Sequence, residues 1–87
     1  MTSQMRRCAT SVPANIAEGF GRQQRRSFVQ FLRIAQGSLK ELESHSILAA
    51  RLGLLDKSGS DEIEARCELL GKRMVTFIRS LNVAAER

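Results

Sequence analysis

Six arginines and one acid are the only charged residues in the first 33 positions, and they bracket the segment SVPANIAEGFGR. Arg6, Arg7, Arg22, Arg25, Arg26 and Arg33 against Glu18 give this third a formal +5, whereas residues 34–87 hold eight basic and eight acidic side chains. The planar guanidinium fork matches phosphate oxygens, and a one-sided basic surface suits a polyanion. The expected chemistry is therefore contact with RNA or DNA phosphates. Sequence readout is not expected, because the chain has no Tyr or Trp for base stacking and only Phe20 is expected to be exposed near the arginines. The competing reading is a basic helix face that is simply solvated.

Other residues with reactive potential carry weaker patterns. Gly19-Phe20-Gly21 resembles the start of a phosphate-cradling loop, but the pattern G-x-G-x-x-G requires glycine where Gln24 stands and no strand precedes it, so a helix cap is expected. His45 is the only histidine, with Glu41 one helical turn earlier and no nucleophile that spacing alone pairs with it. Cys8, Cys67 and His45 match no zinc spacing, and the two cysteines read as reduced core thiols rather than a disulfide framework. No catalytic residue, metal or cofactor is expected. Asn15 inside a helix and Glu18 at its negative pole both call for partners. Arg7, on the same helix side, and Arg22, across the turn, are the candidates for an internal cap or ion pair; a subunit contact is the alternative.

Three helical segments must position these groups. The first runs from about Thr2 to Glu18, capped by Thr2 or Ser3, with Met5, Ala9, Val12 and Ile16 on one face and Cys8 alongside. Pro13 inside it predicts a kink. Gly19 is expected in the left-handed conformation that ends the helix, with Phe20 folded back against it. The second helix, about Gln23 to Leu52, carries a broad apolar face of Phe28, Phe31, Leu32, Ala35, Leu39, Leu42, Ala49 and Leu52. Gly37 in its middle predicts a close backbone approach, and Gly53 closes it. After the connection LLDKSGS, a third helix from about Ser60 to residue 83 places Ile63, Cys67, Leu70, Met74, Phe77 and Leu81 on a bundle seam, and the tail AAER is expected to fray.

Composition bounds the whole. Eighty-seven residues make one domain, burying roughly 60–65% of its unfolded surface. With 43% apolar residues, one Pro and six Gly, the expected class is all-α. No apolar run exceeds four residues, so neither a membrane span nor a signal segment is expected, and the expected location is cytoplasmic.

The runs QMRRCATSVPANIAEGFGR and FLRIAQGSLKELESHSILAARLGL, with the Arg pair, S-[IV]-P-A-N-I-A-E-G and I-A-x-G-S-L-x-E-L-E, resemble the small four-helix-bundle proteins encoded in intervening sequences of bacterial 23S rRNA genes. The resemblance covers residues 4–55, and the last helix by pattern only. It implies an antiparallel four-helix bundle, often a cyclic pentamer, with no established enzymatic activity. Related accessory proteins of diversity-generating retroelements assemble with a reverse transcriptase and bind nucleic acid.

Members of that family usually carry one more helix ahead of the segment matching Thr2 to Gln4, so the three segments here correspond to helices 2–4. The face formed by Phe28, Leu32, Ala35 and Leu39 is then expected to lack its cover and to be filled by a helix of another copy, either Met5 to Ile16 or the third helix. The expectation is a non-enzymatic homo-oligomer with an RNA- or DNA-facing basic third and no small-molecule substrate. The alternative is an oligomeric protein-interaction scaffold.

Overall fold

Apolar residues recurring at helical spacing produce three helices in succession: α1 (Thr2–Phe20), α2 (Arg25–Arg51) and α3 (Lys57–Glu86). The structure is a computed structural model that describes residues 2–22 and 24–86, and side chains within 3–22 and 24–82. There is no strand among the described residues. The expected start of the second helix at Gln23, the capping side chain of Thr2 and the final Arg87 lie outside them. Ser3 sits within α1 rather than ahead of it, and α1 runs unbroken through Pro13.

The helices pack consecutively and antiparallel. Across α1 and α2, Ser11 Oγ meets Ser38 Oγ at 2.7 Å and Cys8 Sγ lies 3.6 Å from Glu41 Oε2. Across α2 and α3, Ser46 Oγ lies 3.2 Å from Ser60 Oγ, and the rings of Phe28 and Phe77 meet edge to face at 5.6 Å. α1 and α3 both rest on α2 and do not pack against each other through their backbones. The three helices thus occupy three corners of a bundle, consistent with extents of 49 × 20 × 12 Å. Val12, Ala35, Leu39, Cys67 and Met74 form the core where they converge, with Ile16, Leu42 and Ile63 against it.

Gly53 closes α2 as expected, whereas the end of α1 and the start of α3 differ from expectation for identifiable reasons. The left-handed residue is Gly53, at φ 76°, and the amides of Gly53 and Leu54 reach back to the carbonyls of Ala50 (3.1 Å) and Ala49 (2.9 Å), closing α2 as a Schellman motif. Gly19 is instead helical, and α1 continues to Phe20, whose ring is 78% exposed and meets Phe28 edge-on. At the other end, α3 begins three residues before Ser60 because Asp56 caps it: Asp56 Oδ1 accepts the amide of Gly59 at 2.7 Å. A Cβ at Gly59 would stand 2.9 Å from that same oxygen, so glycine there suits the cap despite its propensity cost. α3 also runs past residue 83 to Glu86.

The seam of α3 is shifted from the expected one. Cys67, Met74 and Ile78 are buried and Gly71 faces Leu39, whereas Leu70 and Phe77 are exposed at the flank. A true period of 3.6 rather than 3.5 drifts the buried line onto Ile78 over three turns. Gly37 has nothing within 4 Å of a built Cβ, so it marks no close approach.

The expected uncovered face is the main correction. Leu32, Ala35 and Leu39 are 1%, 0% and 5% exposed, and Phe28 is half-buried between Phe20 and Phe77. α1 and α3 cover this face between them. An open groove of about 310 Å³ lies at the fourth corner, between α1 and α3, walled by Ala9, Pro13, Ile16, Arg66 and Leu70 over a floor of Leu39 and Leu42; a larger cleft of about 740 Å³ lies between α2 and α3.

Candidate nucleic-acid interface

The segment SVPANIAEGF builds one side of a helix–helix seam. Asn15 Nδ2 donates to the Ser11 carbonyl (2.8 Å) and to Ser11 Oγ (2.9 Å), and Ser11 Oγ in turn meets Ser38 Oγ. Arg7 is not the partner of Asn15. Glu18 does pair with Arg22, at 2.8 Å, and the Arg22 guanidinium lies 5.1 Å above the ring of Phe31. Ser11 and Gly19 therefore define how α1 seats on α2, and the Asn15 amide nitrogen and the Ser11 hydroxyl are hydrogen-bonded within the chain. This accounts structurally for the most specific motif in the sequence.

The arginines fall into two groups. Arg6 and Arg7 lie on the first turns of α1, about 20 Å along the helix from its C-terminal end at 1.5 Å per residue. Arg22, Arg25, Arg26 and Arg33 cluster around the α1–α2 turn and the first turns of α2, and all four are exposed. Arg25, Arg26 and Arg33 have no ion pair among the described residues.

Antiparallel packing adds residues that no local pattern flagged. The C-terminal half of α3 returns to this end, bringing exposed Lys72, Arg73 and Arg79 with it. Arg79 and Arg33 line one shallow hollow with Gln36, Val75, Ile78 and Asn82. Beyond the Ser11–Ser38 contact, residues 12–38 and 69–82 carry seven basic side chains against Glu18 alone. The other half, residues 3–11 and 39–68, carries six basic against seven acidic. In the linear sequence α3 is neutral because Asp61, Glu62, Glu64 and Glu68, in its first half, offset Lys72, Arg73 and Arg79 further on. The two groups lie in opposite halves of the helix and touch at the boundary, where Lys72 pairs with Glu68 at 3.3 Å.

A second constellation sits between α1 and α2. Cys8 Sγ–H donates to Glu41 Oε2 at 3.6 Å, and His45 lies one turn beyond Glu41 on the same face. The ligand atoms of Cys8, Glu41 and His45 all lie within 4.8 Å of one another. They line a cleft of about 360 Å³ with Gln4, Arg7, Ser11 and Ser38. Burial, then the hydrogen bond and negative charge of Glu41, push the Cys8 thiol above its ordinary range, opposed by Arg7. Burial does the same for Cys67, helped by Glu43 and Glu64. Spacing within the sequence showed no metal pattern because Glu41 and Cys8 are 33 residues apart and only the α1–α2 packing joins them.

Among the described residues, no helix is long and apolar enough to cross a membrane. No curated protein matches the chain. A family model described as 23S rRNA-intervening sequence protein matches residues 1–76.

Proposed function

The chain belongs to the 23S rRNA-intervening sequence protein family, and from that premise we propose that it is a non-enzymatic, self-associating helical protein that binds RNA or DNA through backbone phosphates at its basic end. The observation that carries this reading is the exposure of Arg25, Arg26 and Arg33, without ion pairs among the described residues, with Arg79 lining the same hollow as Arg33. Burial of these arginines against carboxylates would have favoured a scaffold role. Self-association is supported by the apolar groove between α1 and α3, where a helix of a second copy completes the fourth corner of the bundle. Several copies also multiply the charge of the basic end.

Binding of generic RNA and duplex DNA at a series of salt concentrations tests the phosphate reading. Affinity is expected to fall with a log–log slope of about −0.7 to −0.9 per phosphate contacted. Arg25→Glu with Arg26→Glu, and independently Arg73→Glu with Arg79→Glu, should each flatten that slope. Undetectable binding at low salt, or unchanged binding by both double variants, would leave the protein-interaction scaffold as the better account.

A further inference from the structure

We propose that Cys8, Glu41 and His45 form a binding site for a zinc-class divalent cation between α1 and α2. Three different donor types converge there: a thiol, a carboxylate and an imidazole, with every ligand atom within 4.8 Å of the others. In a tetrahedral zinc site, bonds of about 2.0–2.3 Å place the ligand atoms roughly 3.3–3.8 Å apart. The observed cluster therefore needs side-chain adjustments of about 1 Å, with no backbone rearrangement.

The scaffold favours such adjustment. Glu41 and His45 are four residues apart on one helix, so both project from the same face of α2. Cys8 comes from the opposing helix and is held by the seam that continues through Ser11 and Ser38. Two ligands from one helix and one from its neighbour make the ion a cross-link between α1 and α2. The cleft of about 360 Å³ supplies an entry path and room for a water as the fourth ligand.

The charges also balance. The thiol proton, held by donation to Glu41, leaves to solvent as the ion takes its place, so a thiolate, a carboxylate and a neutral imidazole meet a divalent cation with no net charge left over. The soft sulfur and the imidazole select zinc, cobalt(II) or copper over magnesium or calcium. Arg7 lines the cleft and opposes cation entry. Its side chain is exposed, however, so solvent screens it far more than the directly bonded anions.

Cobalt(II) is the probe, because its bond to a thiolate gives a near-ultraviolet charge-transfer band. Titrated into the metal-free chain at neutral pH, it should produce that band at one equivalent per chain, and one equivalent of zinc should abolish it. Cys67→Ser should retain the band and Cys8→Ser should lose it. Glu41→Gln and His45→Asn should weaken binding by at least about tenfold. Circular dichroism establishes that each variant is folded. Absence of the band in the unsubstituted chain overturns the site irrespective of any variant. So does its persistence in folded Cys8→Ser or its loss in folded Cys67→Ser.

Discussion

Gly19 lies against Phe31 so closely that a Cβ built on the glycine would stand 2.8 Å from the Cβ of the phenylalanine and 2.9 Å from Cδ1 of Phe28. α1 and α2 meet at this point because one of them lacks a side chain. The glycine that looked like a terminator is a contact, and the Arg22 guanidinium over the same Phe31 ring closes the turn beside it.

Gly19→Ala should therefore destabilise the fold by about 1–3 kcal/mol, the usual penalty for overpacking. Gly37→Ala should do the opposite. Nothing lies within 4 Å of a Cβ there, and alanine is favoured over glycine by about 1 kcal/mol inside a helix. Urea denaturation of the two variants checks both signs, and equal destabilisation would contradict the packing.

The start of α3 rests on one side chain. Asp56→Ala removes the acceptor of the Gly59 amide and should cost about 1 kcal/mol. Asp61→Ala removes only an exposed pair with Lys57 and should cost less than about 0.5 kcal/mol. Thermal unfolding of the two variants under identical conditions measures the difference.

Two leucine substitutions separate folding from assembly. Leu32 is 1% exposed, so Leu32→Glu buries a carboxylate without a partner and should unfold a domain whose total stability is on the order of 5–15 kcal/mol. Leu70, 36% exposed at the rim of the groove, should tolerate Leu70→Glu with helicity intact. Light scattering is expected to give a mass above one chain for the unsubstituted protein and a lower mass for Leu70→Glu. A monodisperse single-chain particle before substitution would remove the case for a second copy in the groove.

The thiols set an alkaline limit. Cys8 and Cys67 are both held above their ordinary value of 9.0, so the folded state keeps protons that the unfolded state releases. Stability from this source is fully present below about pH 9 and is lost as pH rises through the folded-state values. With no tyrosine to titrate nearby, the melting temperature in the presence of a chelator should decline from about pH 9 upward. Cys8→Ser with Cys67→Ser should flatten that decline, and an unchanged profile in the double variant would assign it to other groups.

The helical class, the approximate helix limits, the close of α2 at Gly53 and the pairing of Glu18 with Arg22 were all legible in the sequence. Each depends on residues within a few positions of one another, where periodicity, turn chemistry and i,i+4 geometry operate. Interactions across helices were not legible. Whether Gly19 ends a helix or admits a neighbour, which apolar face is covered, and that Lys72, Arg73 and Arg79 join Arg25, Arg26 and Arg33 all follow from antiparallel register. So does the approach of Cys8 to Glu41 across 33 residues. A sequence determines which faces of its helices are apolar or charged, because spacing along one helix is fixed at 3.6 residues per turn. It does not by itself display which faces meet, because that depends on the simultaneous packing of side chains from all three helices around Ala35 and Leu39.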